Sequence, residues 1–466
     1  MTNATLREQS SRHTGPRATA LDLGATTRLA ENACAFDLAT VPDPVLRIAR
    51  LALLDWYAVT WAGKDEQPVR VVRTLAEREG GVPEASLIGA PGRLPASAAA
   101  LVNGAAGHVL DYDDVQNEVP GHATAPVAPA VLALAEAIGA SGREALAAFV
   151  VAFETTCRMG RLLSPGHFKR GWQSSTVTGT IGAAVGCGRL LGLDRAQMTA
   201  AIGLATAQAG GLQAAFGSDS KCINVGQAAR AGLVASLMAQ GGLRSAPDIL
   251  EATRGFASVY ADGADIDHAF AEPEGGWHLC RNLFKHHAAC FMTHSPLEAL
   301  VQIGKARALS AESVGAVRIR VEGDYHRVVL TPPPRTGLEA KFNLAFCCAL
   351  LLAGYDTGDP AVFSDALAGR SDLHALAERC QVEIDPLIQF TAATVEVTYR
   401  DGAHRSVYVD VGEPEADADR LEARVRDKAA LLLSGLAPDV RDRLIGTFLE
   451  IDSIDDITRL YPAAAA

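Results

Sequence analysis

The sequence predicts a mainly α-helical protein in which a smaller α+β domain is inserted into a large helical one. The first observation is an Ala- and Leu-rich stretch from about Thr27 to Gly242, where apolar residues recur every three or four positions. The second is a change after about Gly276, where short runs alternate apolar and polar residues as strands do. The third is the return of a helical pattern from Asp417 to Leu436.

The helices of the first stretch are predicted from apolar spacing and from the lack of helix breakers. The segment Arg143 to Arg158 contains neither Pro nor Gly and is expected to form one helix. Similar spacing predicts helices over Ser97–Val109, Pro129–Ile138, Gly179–Leu191 and Arg195–Gln208. Small residues dominate these segments, and because small side chains let helix backbones approach closely, we expect a compact core buried on most sides.

Strands and helices alternate in the second half of the chain. Alternation with period two predicts strands over Val314–Glu322, Thr394–Tyr399 and Ser406–Val411. Asp401-Gly402 separates the last two runs, and Asp-Gly between alternating runs is a strong hairpin signal. Helical patterns occupy Phe342–Leu352 and Asp372–Cys380. The smaller domain is therefore predicted to mix helices with strands.

The length of the chain predicts more than one domain. It has 466 residues, beyond the roughly 250–300 at which a single hydrophobic core stops growing. We divide it into a polar, disordered tail (residues 1–20), a first helical part (residues 21–278), the α+β domain (residues 279–412) and a C-terminal helical part (residues 413–466).

Charge and hydropathy narrow the classes of partner. The net charge of −12 argues against nucleic acid, because phosphate binding needs clustered Lys and Arg. A protein with this net charge can still have a locally basic site that binds an anionic substrate. The sequence has no apolar run of about 18 residues and no apolar signal segment at its start, so we predict a cytoplasmic protein without membrane contact.

Cysteine usage predicts a protein without a metal centre. Nine cysteines are present but no C-x-x-C, and zinc and iron–sulfur sites usually require close Cys spacing. Cys157, Cys187 and Cys347 lie in apolar surroundings and are expected to be reduced core residues.

The first candidate site segment is His108–His122, HVLDYDDVQNEVPGH, which follows an Ala-rich helix. Asp111, Asp113 and Asp114 crowd together there, before a polar loop that ends at His122. An acidic cluster after a helix is often a solvated turn, and that interpretation stays open. An Asp next to a His, however, orients the imidazole and raises its basicity, so the segment is also a candidate for proton transfer.

The second and third segments contain residues suited to binding a carboxylate. Pro165–Gly179, PGHFKRGWQSSTVTG, either receives a carboxylate or only uses Ser174, Ser175 or Thr176 to cap the following helix. In Phe216–Arg230, FGSDSKCINVGQAAR, Lys221 precedes a helix of small residues. A buried ammonium group is costly unless it is paired, so this lysine indicates an anionic partner; an exposed lysine at a helix start is the alternative.

The fourth segment is Phe284–His294, FKHHAACFMTH, which brings together Lys285, His286, His287 and His294. Four potential cations this close predict an anion-binding loop, with a solvated basic turn as the alternative. A metal site is disfavoured, because the adjacent histidines point apart on any regular element and no recognised ligand spacing is present.

Together these segments resemble the MmgE/PrpD family. The motifs occur in the family's order: DYDD…GHATAPVAPAVLALAEA, RGW-x-x-S-x-V-x-G-x-IGAA, DSK-x-x-x-VG-x-AA-x-x-G, K-x4-C-x3-H and LEAKFNLAF. The match extends from about Leu51 to Ala437 and so covers most of the chain.

The resemblance implies a large all-helical domain built from both ends of the chain, a smaller α+β lid and a homodimer. It also implies an enzyme that works on a small polycarboxylate without metal or organic cofactor. Known activities of the family are 2-methylcitrate dehydration, cis-aconitate decarboxylation and iminodisuccinate epimerisation. Each makes or consumes a carbanion-like centre beside a carboxylate, so cationic groups must hold the developing charge.

The resemblance also assigns site residues. The residues that match the family's motif aspartate, loop histidine and two lysines are expected to be catalytic: Asp111, His122, Lys221 and Lys285. In this hypothesis Asp111 orients His122. The residues expected to bind substrate are Gln173, Ser175, His286, His287 and His294, the last of which matches the family's histidine after Cys290.

Two positions depart from the family's patterns. Val115 stands where decarboxylase-like members have a Thr, and Gln173 stands where many members have a His. Gln can hydrogen-bond a carboxylate, but it cannot carry charge or relay a proton, which weakens the decarboxylase interpretation. The HPSDN pattern of bacterial methylcitrate dehydratases is not matched either, because HATAP stands here.

Dehydration of a hydroxy tricarboxylate of the 2-methylcitrate kind is the leading hypothesis from the sequence. His122 would act as general acid or base, and Lys221 and Lys285 would stabilise the enolate-like intermediate. Epimerisation of an iminodisuccinate-like dicarboxylate is the first alternative, and cis-aconitate decarboxylation is another. A hypothesis of a different class is a polycarboxylate binder without catalysis, which the residues Gln173 and Val115 motivate.

Overall fold

Helices form almost all of the first half of the chain, as the apolar spacing predicts. The computed structural model describes residues 24–461, apart from the side chains of residues 326 and 327, so the predicted tail over residues 1–20 lies outside the described residues. The helices of this half are α1 (Ala25–Ala35), α2 (Asp43–Gly63), α3 (Gln67–Glu79), α4 (Ala96–Val109), α5 (Thr124–Ile138), α6 (Gly142–Leu163), α7 (Gly166–Lys169), α8 (Ser174–Leu190), α9 (Arg195–Thr206), α10 (Ser220–Gln240), α11 (Phe256–Tyr260) and α12 (Ile266–Phe270). Two short strands, β1 (Ala85–Ser86) and β2 (Arg93–Leu94), pair before α4.

The second half contains a four-stranded sheet among helices and ends in two helices. Its helices are α13 (His294–Ala306), α14 (Tyr325–Val328), α15 (Gly337–Ala340), α16 (Leu344–Leu352), α17 (Asp365–Ala368), α18 (Ser371–Ala377), α19 (Ala418–Leu432) and α20 (Pro438–Leu449). Its strands are β3 (Val314–Val321), β4 (Cys380–Ile384), β5 (Ala392–Tyr399) and β6 (His404–Asp410).

The sheet has the strand order β4-β3-β5-β6. Strand β3 is parallel to β4 and antiparallel to β5, and β6 pairs antiparallel with β5. Val395 faces Ile319 on one side and Val407 on the other, so apolar side chains form one buried face, against which α13 packs. The predicted hairpin at Asp401-Gly402 is present, and Gly402 supplies the positive φ of 86° that the turn needs.

Strand β4 is absent from the sequence prediction, which assigned a helix to Asp372–Cys380. The helix is shorter, because α18 ends at Ala377 and the chain then enters β4 at Cys380. The sequence of β4, CQVEI, alternates apolar and polar residues, but the run is only five residues long, three of them exposed, and the predicted helix extends into its first residue. Backbone pairing of this edge strand with β3 defines it, and a side-chain pattern does not report such pairing.

Small residues set the close approach of the helices in the helical core. A Cβ atom on Gly226 of α10 would lie 2.3 Å from the backbone oxygen of Leu101 in α4. A Cβ atom on Gly104 of α4 would lie 2.9 Å from the Cα of Gly226. The two backbones therefore touch at this crossing, and only glycines fit there.

The C-terminal helices return to the helical part, so both ends of the chain build it. Helices α19 and α20 pack against α2, and a buried ion pair joins Lys428 of α19 to Asp55 of α2 at 2.7 Å. This confirms the predicted fold class, a mainly helical body from both chain ends with an α+β part between them. The predicted boundaries at 278/279 and 412/413 fall between named helices and strands and stay predictions.

Helix ends gather where the acidic loop after α4 meets the first residues of α8 and α10. None of the helices among residues 24–461 combines the length and the apolar character needed to cross a bilayer.

Candidate active site

The acidic loop that follows α4 is buried. The exposed fractions of Asp111, Asp113 and Asp114 are 4%, 0% and 2%. The chain leaves the helix at Asp111, whose φ of 52° lies in the left-handed region that residues other than glycine rarely adopt. The solvated-turn interpretation is therefore wrong, and the carboxylates need partners inside the protein.

Asp111 binds two lysines from distant segments. Its Oδ1 accepts hydrogen bonds from Lys221 Nζ at 2.6 Å and from Lys285 Nζ at 3.1 Å. Burial by itself raises the pKa of the Asp111 carboxyl, but the two ammonium groups outweigh burial and hold that pKa below its ordinary value. The Lys221 side chain is only 12% exposed, so the exposed-lysine interpretation is wrong.

His122 is held by Asp113. Nδ1 of His122 lies 2.9 Å from Asp113 Oδ2, and Nδ1 of His108 lies 2.9 Å from the same oxygen. Asp111 Oδ1 is 3.6 Å from Nε2 of His122, so the orienting contact expected of Asp111 is made by Asp113. Because an ionised carboxylate only accepts hydrogen bonds, Nδ1 of His108 carries the proton of its bond to Asp113. Nδ1 of His122 is in contact with Asp113 without hydrogen-bond geometry, and Nε2 of His122 lies on the side of Asp111 and its two lysines.

Gln173 and Ser175 stand at the start of α8, next to these groups. Gln173 Nε2 donates to the backbone oxygen of Lys221 at 3.3 Å, and Gln173 Oε1 accepts from Asn224 Nδ2 at 3.1 Å. Ser175 Oγ accepts from the backbone N–H of His122 at 2.9 Å. The first residue of α8 receives no side-chain cap, so the capping interpretation of this segment is wrong.

The loop that carries Lys285 is also buried, so the solvated-turn interpretation of this segment is wrong. Lys285, His287 and His294 are 1%, 6% and 2% exposed. His294 Nε2 accepts from the backbone N–H of His287 at 3.3 Å, and His287 Nδ1 lies 2.7 Å from Thr357 Oγ1. The His294 ring is therefore bound to the backbone of the loop, and the His287 ring is bound to Thr357 outside it.

One cavity of about 950 Å³ collects most of the predicted residues. Its wall includes Asp111, His122, Gln173, Ser175, Lys221 and Lys285. The three predicted histidines of the Lys285 loop, His286, His287 and His294, are not among its lining residues in the described part of the chain. A volume of this size is typical of small-molecule sites. A neighbouring cavity of about 910 Å³ shares Asp111, Lys221 and Phe342 with it.

The sequence prediction omits two residues that the structure brings into the cluster, His108 and Asp113. Both stand in the acidic segment, but five residues separate them, which is not a contact spacing on a regular helix. The turn at Asp111 brings them together, with the rings of His108 and His122 edge to face at 4.6 Å between centroids. A His shortly before the end of a small-residue helix, followed by DxD, is the signal that was available.

Metal binding has one candidate group among residues 24–461. Ring nitrogens of His108 and His122 and a carboxylate oxygen of Asp113 lie within 4.8 Å of one another. A hydrogen bond from His108 and an ion-pair contact of His122 account for the two 2.9 Å distances to Asp113, and a divalent cation would add to the charge of two nearby lysines. The absence of a metal cofactor stays a prediction.

We expect the protein to lose stability as the pH falls from about 6.5 towards 4. Burial lowers the pKa of six histidines in the folded protein: His108, His167, His278, His286, His287 and His294. In this window the unfolded chain binds protons at these residues and the folded chain does not, so each proton favours unfolding. Three carboxyl groups whose pKa values burial raises act in the opposite direction but are fewer: Asp55, and Asp114 and Glu154, for which the pKa is raised to about 7.

Thermal unfolding measured at constant ionic strength checks this balance. The unfolding temperature is expected to be lower at pH 5 than at pH 7 by about 5 °C or more. An equal or higher unfolding temperature at pH 5 would show that the buried histidines do not control acid stability.

Comparisons with known proteins find similar chains in fungi and mammals. The cis-aconitate decarboxylase of Aspergillus terreus is 32% identical over 57% of this chain and 58% of its own length, so the chain spans somewhat over half of that relative in the match. The human cis-aconitate decarboxylase is 27% identical over 90% of both chains, and the mouse protein of the same name is 27% identical over 77% of this chain and 76% of its own.

Family comparison covers most of the chain. The MmgE/PrpD N-terminal domain matches residues 27–269, and the MmgE/PrpD C-terminal domain matches residues 287–449. The candidate cavity draws on both matched regions, because His122 and Lys221 lie in the first and Cys290 and Phe342 in the second. On these matches, this chain belongs to the MmgE/PrpD family.

Proposed function

We propose that this protein is an enzyme that removes carbon dioxide from cis-aconitate, or from a closely similar tricarboxylate, without a metal or organic cofactor. The observation that carries the proposal is the presence of Lys221, Lys285 and His122 in one cavity. Two ammonium groups suit the carboxylates of such a substrate, and an imidazole suits the proton transfer. The names of the fungal and mammalian relatives support decarboxylation over the dehydration that the sequence favours.

Decarboxylation of cis-aconitate consumes one proton and needs a place for displaced charge. The bond between the CH₂ carbon and its carboxylate breaks, and its electron pair forms a new double bond to the central carbon. The electrons of the old double bond move to the carbon beside another carboxylate. Protonation of that carbon gives methylenesuccinate, and carbon dioxide leaves.

Lys221 is the residue we assign to the developing negative charge. Burial lowers the pKa of its ammonium group, but Asp111 outweighs burial and raises that pKa above its ordinary value, so the group stays charged. Lys285 is fixed by the carboxylate and the backbone oxygen of Asp111. A charge held in place in a cavity stabilises a transition state without reorganisation.

His122 is the residue we assign to the proton. Its Nδ1 contacts Asp113, while Nε2 is the nitrogen on the Asp111 side of the ring. Ser175 accepts a hydrogen bond from the backbone of His122 and so fixes the loop from which the ring projects. The proton is delivered from Nε2 to the substrate carbon and is replaced from solvent.

Dehydration of a hydroxy tricarboxylate of the 2-methylcitrate kind is the second candidate. It is favoured by Gln173, a neutral amide tied to Lys221 and Asn224, which stands where many family members have a histidine. Val115, which stands where decarboxylase-like members have a Thr, also lines the cavity. Neither side chain carries a proton, so in both reactions His122 is the proton carrier.

The experiment uses purified, chelator-treated protein in heavy water, with cis-aconitate, 2-methylcitrate and iminodisuccinate in separate reactions followed by proton NMR. If the protein is a decarboxylase, cis-aconitate gives methylenesuccinate with one deuterium on its saturated CH₂ carbon, which is the former CH carbon of the double bond. Heat-denatured protein is the control for spontaneous isomerisation of cis-aconitate. Alkene formation from 2-methylcitrate alone would establish the second candidate, deuterium entry without elimination would indicate an epimerase, and binding without turnover would contradict an enzymatic role on these compounds.

A further inference from the structure

Three consecutive backbone oxygens at the end of α4 each accept a hydrogen bond from a buried lysine. The pairs are Lys341 Nζ with Leu110 O at 2.6 Å, Lys285 Nζ with Asp111 O at 2.7 Å, and Lys428 Nζ with Tyr112 O at 2.7 Å. We call these three lysines the lysine clamp. They are 5%, 1% and 5% exposed, respectively.

The end of α4 is a place where cations bind favourably. Leu110 is the C-cap residue of α4 and the other two residues follow it, so the three oxygens lie just beyond the helix, where its dipole puts partial negative charge. A water molecule or a single cation would satisfy these groups. Three buried ammonium groups exceed what the carbonyl groups need. Each of them also loses its hydration on burial, which is costly.

Lys341 makes the clearest case that the clamp serves the loop. Burial lowers the pKa of its ammonium group to about 8, and it forms no ion pair within 4.0 Å in the described part of the chain. Lys428, by contrast, is paired with Asp55 at 2.7 Å. Asp111 and Glu66 favour the charge of Lys341 from beyond ion-pair distance, and its bond to Leu110 O is the hydrogen bond that fixes the ammonium group.

The conformation that the clamp surrounds is strained. Asp111 has a φ of 52°, which costs a non-glycine residue on the order of 1 kcal/mol and persists only when its surroundings hold it. That conformation directs the Asp111 carboxylate to Lys221 and Lys285. Leu110 and Tyr112, the residues on either side, are each fixed by one lysine of the clamp.

We propose that Lys341 and Lys428 are positioning residues that hold the Asp111 turn in the conformation in which its carboxylate binds the two lysines of the cavity. Lys341 lies between α15 and α16 in the α+β part, and Lys428 lies in α19. The turn is therefore complete only when both of these segments are docked on the helical core. The consequence for turnover rests on the proposed function, whereas the consequence for the turn does not.

Hydrogen exchange followed by mass spectrometry of the full-length protein tests the proposal. Two amides report on the turn: that of Asp111, bonded to His108 O, and that of Val115, bonded to Leu283 O. Lys341→Met is expected to speed exchange in peptides covering residues 108–116 by about tenfold or more. Lys305→Met, which removes an exposed lysine of α13, is the matched control and should leave these peptides unchanged.

A second variant removes the other positioning lysine without leaving an unpaired buried charge. Asp55→Asn combined with Lys428→Met is expected to speed exchange over the same residues, and it replaces Lys341→Met if that variant does not fold. Kinetics on the NMR assay should show a loss in kcat of about tenfold or more, with KM changed less. Exchange over residues 108–116 at the wild-type rate in folded variants would overturn the proposal, and a wild-type protein inactive on cis-aconitate would overturn only the proposed function.

Discussion

Replacing Lys221 by methionine is expected to lower kcat/KM for cis-aconitate on the order of 10³-fold while the protein stays folded. The substitution keeps the length and apolar stem of the side chain and removes only the charge that faces the substrate. Asp111 keeps Lys285 as its partner, at 3.1 Å from Oδ1 and 2.7 Å from the backbone oxygen, so no buried carboxylate is left unpaired. Steady-state kinetics measure the loss in kcat/KM, and thermal unfolding tests whether the variant stays folded.

Lys64→Met is the matched control for Lys221→Met. Lys64 lines only the neighbouring cavity, where its ammonium pairs with Asp65 at 3.0 Å. Its loss is expected to change kcat/KM by less than about threefold, as is usual for a partly exposed charge away from the chemistry. A Lys221→Met variant with wild-type activity would remove this lysine from the mechanism, and equal losses in both variants would indicate a general electrostatic effect.

The second large effect is expected for Asp113→Asn, which should lower kcat on the order of 10²- to 10³-fold. The side chain keeps its shape, but an amide can present an N–H to Nδ1 of His122 and so disturb the tautomer. The negative charge in contact with the His122 ring is lost as well. The measurement is kcat at saturating substrate for each purified variant, together with near-UV circular dichroism to confirm native packing.

Asp114→Asn is the control for this variant, because the neighbouring carboxyl is equally buried but does not contact a histidine. Asp114 accepts hydrogen bonds from Thr124 and Asn282, and burial raises its pKa to about 7. Its substitution is expected to change kcat by less than about threefold. If Asp113→Asn retained wild-type kcat, the assignment of His122 as the proton carrier held by Asp113 would be wrong.

The fold was largely predictable because its signals are local. Apolar spacing gives α4, α6, α8 and α9, and alternation with an Asp-Gly turn gives the β5–β6 hairpin. Strand β4 is the main omission, because its alternating run is only five residues long, its first residue falls within the predicted helix, and pairing with β3 defines it. The buried ion pair between Asp55 and Lys428 joins residues far apart in the sequence, so pattern analysis has no means to find it.

The candidate site was predictable in its residue types and less so in its contacts. Asp111, His122, Lys221 and Lys285 come together in one cavity, as the motifs predict. The partner of His122 is Asp113, because a left-handed residue at position 111 redirects the chain, and such a turn follows from packing and not from spacing. The histidines of the Lys285 loop looked like anion ligands in the sequence, but hydrogen bonds inside the loop use His287 and His294.

Incubation of the wild-type protein with cis-aconitate in heavy water, followed by proton NMR, tests the central claim most directly. We expect two vinyl proton signals of methylenesuccinate, a saturated carbon carrying one proton and one deuterium, release of one carbon dioxide per substrate, and product formation slowed on the order of 10³-fold in Lys221→Met. Substrate that remains unchanged beside folded wild-type protein, or that exchanges protons without losing carbon dioxide, would contradict it.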